Sequence, residues 1–385
     1  MNADKRWPVV HLGEVLDQFR GYIAQPEPRQ YPKLSVKLYG KGVVLDSPAD
    51  GTSLKMKRHQ VAKAGQVILS EIWGKKGAIG IVPDEGEGAL CTSHFFLFDV
   101  NRDRVEPGWL HAIFRANYLQ EELGSQAFGT TGYAAVRPKT LLAANIPLPP
   151  LEEQRRIVAR IDSLVAKLDE VRITRQLQVE KANAMLRSRF SQITFHAPRK
   201  KMSIVAPLVR RPAKLEVGDT YPELGIRSYG KGTFHKPALD YLEVGSKKLY
   251  SIEPGDLVFS NVFAWEGAIA VAQPEDSGRF GSHRFITCVP DKGIATADFL
   301  CFYFLTSEGL ERIGAASPGG AGRNRTLGLN KLAEIDVPVP QYDSQIKFDR
   351  LILKVREMRQ TLERSDAEID ALVPSILDRA FQGGL

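Results

Sequence analysis

Cysteine is scarce in this chain: Cys91, Cys288 and Cys301 are the only three in 385 residues. They stand at no metal-ligand spacing, which excludes a zinc ribbon or a disulfide framework and leaves buried thiols in a reducing compartment. Histidine is also rare, and His94 and His283 have no Cys, Asp or Glu at ligand spacing beside them. That argues against a metal centre or a catalytic triad, and leaves a structural or base-contacting histidine. No acidic cluster resembles a nuclease centre. No apolar run is long enough to span a bilayer, and Met1-Asn2-Ala3-Asp4-Lys5-Arg6 leads into no apolar signal region. The expectation is a cytoplasmic protein with no membrane partner.

Acid is the minority charge. Against 52 Lys and Arg there are 45 Asp and Glu, a net +7 with a pI near 9.2, which favours a polyanionic partner. With 43% hydrophobic residues the chain can bury real cores, and its length suggests two or three domains.

Three strings imitate enzyme motifs. Gly225-Ile226-Arg227-Ser228-Tyr229-Gly230-Lys231-Gly232 is one residue short of a phosphate-binding loop and has Gly232 where a Ser or Thr must ligate magnesium. A turn presenting one lysine is the better reading. Asn145-Ile146-Pro147 lacks the consecutive prolines and aromatic that would hold a flipped base. Phe128-Gly129-Thr130-Thr131-Gly132 misplaces the glycine of an S-adenosylmethionine-cradling turn. Catalysis is not expected on this chain.

What is present is a repeated helix launch. Ile146-Pro147-Leu148-Pro149-Pro150-Leu151-Glu152-Glu153-Gln154 stops the preceding segment at its prolines and places acids where a helix N-terminus favours them. Apolar residues follow at Ile157, Ile161, Leu164, Leu168 and Val171, the four-three spacing of a coiled-coil seam. Val337-Pro338-Val339-Pro340-Gln341-Tyr342-Asp343-Ser344-Gln345 repeats the launch. Its seam is Leu351, Val355, Met358, Leu362, Ser365, Ile369, Leu372 and Ile376. One constant offset carries Gln154 to Gln345 and Phe190 to Phe381, so the second copy follows the first in register.

The segments before each launch also repeat. Strands are expected at Gln66–Ser70, Gly77–Val82 and His94–Phe98, and a helix over Trp109–Glu122. Tyr39-Gly40-Lys41-Gly42 returns as Tyr229-Gly230-Lys231-Gly232, and Gly77-Ala78-Ile79 as Gly267-Ala268-Ile269. Ser93-His94 is matched to Ser282-His283. The plan is domain, helix, domain, helix, with each domain of α+β type. Glycines and strand residues persist between copies, while loop residues change: Lys75-Lys76 becomes Trp265-Glu266. Divergent loops on a duplicated scaffold are what readers of two ligands would show.

The run Ile146 to Val158, with Ile376-Leu377-Asp378-Arg379-Ala380-Phe381-Gln382-Gly383-Gly384-Leu385, resembles the specificity subunit of type I restriction–modification enzymes. The likeness extends over the whole chain through its domain order, and departs from the pattern at Gln341-Tyr342-Asp343-Ser344-Gln345. It implies two similar target-recognition domains joined by two long antiparallel coiled-coil helices, an internal pseudo-two-fold duplication. The boundaries that follow are recognition domains at 1–148 and 197–340 and spacer helices at 149–196 and 341–385. The resemblance further implies a non-catalytic subunit that reads a bipartite double-stranded DNA target with an unread spacer. Two methyltransferase subunits would dock on the helices and motor-nuclease subunits would join them. No cofactor would bind this chain; S-adenosylmethionine belongs to the methyltransferases, ATP and Mg to the motor-nuclease.

Reading a defined sequence requires base-edge contacts in the major groove, with Lys and Arg on phosphates for affinity and register. Candidates in the first domain are Tyr39, Lys41, Lys75, Lys76, His94, Thr130, Thr131, Tyr133, Arg137 and Lys139. In the second they are Tyr229, Lys231, Asn261, Trp265, His283, Arg284, Arg323, Asn324 and Arg325. The alternative is a coiled-coil adaptor with two protein- or ligand-recognition modules, which leaves the basic charge unexplained. The helices are expected to act as a ruler: the stretch from Gln154 to Phe190 would span about 55 Å at roughly 1.5 Å per residue.

Overall fold

The structure, a computed structural model, describes residues 7–24, 27–53, 58–125, 135–319 and 325–385. It divides into two compact units, Met1–Thr174 with Glu363–Leu385, and Arg175–Leu362.

In the first unit a four-stranded antiparallel sheet runs in the order Leu16–Phe19, Phe95–Val100, Val67–Ser70, Ile79–Ile81. The unbroken apolar run Val67-Ile68-Leu69 is wholly buried because both faces of its strand are covered. Val67 and Leu69 face a core with Trp109 and Ile113, whereas Ile68 faces Ala62, Val82 and Leu97. Beside it lies a five-stranded sheet in the order Tyr22–Ala24, Arg58–Val61, Leu90–Cys91, Gln30–Val36, Val43–Asp50. A ribbon of Val9–His11 against Asn145–Pro147 closes the base, where the Trp109 indole N–H donates to the Pro147 carbonyl at 2.9 Å.

The second unit repeats the plan. Its main sheet is Leu208–Val209, Phe285–Cys288, Leu257–Ser260, Ile269–Val271, and its ribbon pairs Arg199–Lys201 with Asp336–Pro338. A further sheet runs Thr233–Asp240, Thr220–Ile226, Phe280–Ser282, Leu249–Ser251. Alternation along the central strand is the same: Leu257 and Phe259 enter one core, Val258 another.

The expected helix over Trp109–Glu122 is two helices, Pro107–Arg115 and Gln120–Ser125. The break falls at Asn117, whose φ of 53° is left-handed and cannot continue a helix. In the second unit the corresponding helices are Ala297–Phe304 and Ser307–Ala316, the latter capped by the Thr306 hydroxyl accepting from the Gly309 N–H.

Two long helices, Leu151–Thr194 and Tyr342–Phe381, each contribute residues to both units. In the first unit Ile157 and Ile161 from the start of one share a core with Val373, Leu377 and Phe381 from the end of the other. In the second unit Leu186 and Phe190 meet Phe348 and Val355. Start meets end in each unit, so the helices run antiparallel there. Phe381 packs 5.0 Å from Trp109, and Phe190 lies 5.2 Å from Phe299 and 5.7 Å from Phe348. Emptying either aromatic site would cost about 3–5 kcal/mol.

The seam departs from its sequence register in two places. Val171 is exposed, so the first seam fades at mid-helix. Past Ile369 the second seam continues through Val373 and Leu377, leaving Leu372 at the surface. The four-residue steps follow an ordinary 3.6-residue helix packing against a globular core instead of the supercoiled 3.5 repeat. No helix among the described residues is long and apolar enough to cross a membrane.

Each launch ends in a fully buried glutamine. Gln154 accepts from the Glu106 N–H at 2.8 Å and donates to the carbonyls of Arg104 at 3.1 Å and Pro149 at 2.8 Å. Gln345 accepts from the Thr296 N–H at 3.1 Å and donates to Ile294 and Pro340, both at 2.9 Å. A primary amide is the side chain that can both accept and donate twice, so it ties the helix start to the loop ahead of the domain's own helix. The divergent Gln341-Tyr342-Asp343-Ser344-Gln345 therefore keeps the same clamp.

Candidate nucleic-acid interface

In each unit one loop organises the exposed candidates. The loop Glu71–Lys76 follows the central strand Val67–Ser70, and Asn261–Glu266 follows Leu257–Ser260. Tyr39 docks on the first through its N–H to the Lys76 carbonyl at 2.8 Å, and Gly40 donates to Gly77 at 2.9 Å. Tyr229 and Gly230 dock identically on Glu266 and Gly267, at 2.9 and 2.8 Å. These contacts hold both tyrosines at left-handed φ, 59° and 62°. Their neighbour must be glycine in the first unit, since a Cβ on Gly40 would fall 2.0 Å from the Phe114 carbonyl. The rings themselves are not core residues: Tyr39 is 50% and Tyr229 73% exposed.

The same loop is gripped from its other end. The Glu71 N–H donates to the His94 carbonyl, and the Val136 N–H to the Glu71 carbonyl, both at 2.8 Å. In the second unit the Asn261 N–H donates to Arg284 at 2.7 Å and the Leu327 N–H to Asn261 at 2.8 Å. Arg284 is thus the counterpart of His94, which corrects the match of Ser93-His94 to Ser282-His283. His283 sits one place earlier in the turn, exposed. The strand pairing fixes this register, because Phe95 opposes Ser70 as Phe285 opposes Ser260.

On this shared backbone the side chains differ. In the first unit the Glu71 carboxylate, 14% exposed, lies 2.6 Å from the Arg137 guanidinium and 3.1 Å from His94 Nδ1. Lys76 Nζ lies 5.3 Å over the Trp73 ring. In the second unit Arg325 lies 5.0 Å over Trp265, whose indole N–H donates to the Val262 carbonyl at 3.0 Å. The Ser228 hydroxyl donates to Glu266 at 3.2 Å. Asn261 turns its Oδ1 inward, buried and without a hydrogen-bond partner among the described residues.

Lys41 and Lys231 are exposed at the tips of the tyrosine turns, and Arg137 and Lys139 flank the start of the helix Pro138–Ala143. The Gly225–Gly232 string is a hairpin between Thr220–Ile226 and Thr233–Asp240, with no helix behind it to receive a phosphate. Thr130, Thr131, Tyr133, Arg323 and Asn324 lie outside the described residues, as does the Phe128–Gly132 string. Burial pushes the thiols of Cys91 and Cys288 up to about 12, which makes them poor nucleophiles.

The structure adds residues that sequence reasoning misses. His94 and Arg137, which pair with the Glu71 carboxylate, reach it from segments distant in the chain. The repeat holds the signal, since the register that carries Tyr39 to Tyr229 also carries Glu71 to Asn261. Trp73 and Phe263, 48% and 40% exposed, occupy matching places on the two loops and present aromatic faces suited to stacking or cation contacts.

The two units thus present one hydrogen-bonded loop backbone with different side chains on it. Residues 5–181 match the family model described as the type I restriction modification DNA specificity domain. The chain is 31% identical over 125 residues to the type I restriction enzyme MjaVIII specificity subunit of Methanocaldococcus jannaschii, an alignment covering 32% of this chain and 29% of that one. It is 20% identical to the EcoKI specificity subunit of Escherichia coli over 86% of this chain and 77% of that one. The fold matches the crystal structure of an HsdS subunit from Thermoanaerobacter tengcongensis with a TM-score of 0.61 and 21% identity, covering 100% of this chain and 98% of the other. The first part of the chain thus resembles a type I restriction modification DNA specificity domain, and the whole chain shares the fold of an HsdS subunit.

Proposed function

We propose that this chain supplies DNA sequence specificity to a type I restriction–modification complex, each unit reading one block of a bipartite duplex target. The observation that carries the reading is the organising loop: one hydrogen-bonded backbone in both units, furnished with Glu71, Lys75, Lys76, His94 and Arg137 in one and Trp265, Arg284 and Arg325 in the other. Arg and Lys can meet guanine edges or phosphates, and a fixed loop with variable side chains lets specificity change without refolding. Methylation and cleavage fall to partner chains: methyltransferase subunits carrying S-adenosylmethionine, and motor-nuclease subunits using ATP and Mg. Apolar residues left exposed on the long helices, Ile173, Leu177 and Leu353 among them, suit docking of helical partners.

The test is a salt-titrated binding experiment with random-sequence duplexes, using the full chain assembled with its methyltransferase partner. Affinity should fall steeply with salt, and repeated selection should enrich two short blocks separated by unread base pairs. Binding insensitive to salt and without enrichment would favour the adaptor reading instead. In the same reading helix length sets the unread gap. Inserting four residues at Glu170 should widen the gap in the methylated motif, and an unchanged gap would refute that part.

A further inference from the structure

Among the described residues, Glu71 is the one acid in its unit's candidate surface that holds two exposed candidates, His94 and Arg137, at once. Its carboxylate is mostly shielded, while the side chains of His94 and Arg137 are 62% and 63% exposed. Its backbone joins three segments: the loop after the central strand, the turn at His94, and the stretch entering Val136. An arginine on a surface loop samples many rotamers, and fixing its guanidinium plane before contact removes that entropy from binding. The nearest approach of Glu71 to Arg137 is at Nη1, and among the described residues no other side chain pairs with Arg137. The remaining donors of the fork stay available for a pair of acceptors, such as the O6 and N7 edge of guanine.

The second unit sharpens the point. The same backbone position is Asn261, whose Oδ1 is buried and without a hydrogen-bond partner among the described residues, and the exposed arginine there is steadied on the Trp265 ring instead. A carboxylate strut in one half is replaced by an aromatic platform in the other.

We infer that Glu71 is a positioning residue for specificity: it orients Arg137 and His94 so that the first unit reads its own block, and replacing it alters the base preference of that block alone. This rests on the DNA-reading function proposed above. The geometry gives a fold-safe variant, Glu71→Asn, because asparagine already occupies this hydrogen-bonded backbone position at 261.

The experiment is selection from a random duplex library by the full chain in its methyltransferase complex, comparing wild type, E71N and E71Q, with salt dependence measured in parallel. Wild type should enrich two blocks. E71N should lose discrimination at one position or more of a single block by about tenfold, the scale of one bidentate base contact. The other block and the melting temperature should be unchanged. E71Q, which keeps the shape and loses the charge, should fall between. Overall affinity for unselected duplex should hold or rise slightly, since a negative charge near the DNA has been removed. If both blocks keep full discrimination in E71N, or both degrade equally, the inference is overturned. If wild type itself enriches no sequence, the DNA-reading function fails first and takes this inference with it.

Discussion

The two glutamine clamps and the two organising loops are repeated features of the same duplication, yet they have diverged very differently. Gln154 and Gln345 make the same three hydrogen bonds to backbone groups at corresponding places, at closely similar lengths. The loops keep their backbone bonds equally well, but Glu71 is matched by Asn261, His94 by Arg284, and Lys75 by Trp265. A buried amide that satisfies three backbone groups has no neutral substitute, because each orphaned group costs about 1–3 kcal/mol. An exposed loop side chain has many. The contrast separates what the scaffold requires from what a ligand can select.

The hardest blow to this comparison falls on the clamps. Gln154→Ala and Gln345→Ala should each destabilise their own unit by about 3 kcal/mol or more, since three buried backbone groups lose their partner together. Denaturant unfolding followed by hydrogen exchange would assign the loss to one unit or the other. Unequal losses would show that the two clamps are equivalent in geometry but not in energy.

The next effect belongs to the loops. Arg137→Ala should relax reading of one block and Arg325→Ala of the other, each by about 1–3 kcal/mol if the guanidinium makes a bidentate base contact. Competition binding with duplexes altered in one block at a time would measure it. A uniform loss across both blocks, with a shallower salt slope, would reassign the residue to a phosphate.

Much of this architecture is legible in the chain itself. The proline-to-glutamine run locates both long helices because prolines, acids and a heptad pattern are local signals. The central strands are legible as short apolar runs between glycines. What escapes are features made across distance in sequence. His94 looks like a lone histidine and Arg137 like a free cation, because the carboxylate that holds both comes from Glu71, in another segment. The seam beyond Ile369 departs from the heptad because Val373 and Leu377 answer to Trp109 and its core, which no heptad count can see. The break at Asn117 leaves only one polar residue on the expected apolar face as its trace, and Leu119 resumes the apolar pattern two residues later.

A smaller asymmetry lies where the second long helix meets the second unit. In the register that pairs Gln154 with Gln345, Asp349 is the counterpart of Val158, so an acid occupies a place that is apolar in the first copy. Burial, with the Asp298 carboxylate nearby, raises the Asp349 carboxyl from 3.8 to about 6, and its Oδ1 has no hydrogen-bond partner among the described residues. Folding raises this pKa, so the favourable contribution is complete below about 4, where both folded and unfolded chains hold the proton. It is lost as pH rises through about 6. Asp349→Asn should therefore stabilise the chain by about 1–2 kcal/mol at about pH 8, allowing for partial solvent screening, and give no gain at about pH 4. Thermal melts at the two pH values decide it, and an equal gain at both would refute a charge-based cause.

The smallest effect tests whether the matched tyrosines are kept for the scaffold or for a ligand. Tyr39 and Tyr229 have φ of 59° and 62°, a region in which a bulky L-residue is strained and asparagine is tolerated several-fold better. Both are exposed, so their rings contribute little to either core. Their docking bonds to Lys76 and Glu266 are made by backbone N–H groups, which any residue but proline supplies. Tyr39→Asn and Tyr229→Asn should thus raise stability, by about 0.5–1 kcal/mol each. If the tyrosines contact DNA, the same variants should bind duplex more weakly even as they melt higher. A gain in stability with no loss of binding would leave the rings without a ligand role. A loss of stability would mean that the ring supports the turn through contacts that outweigh its backbone strain.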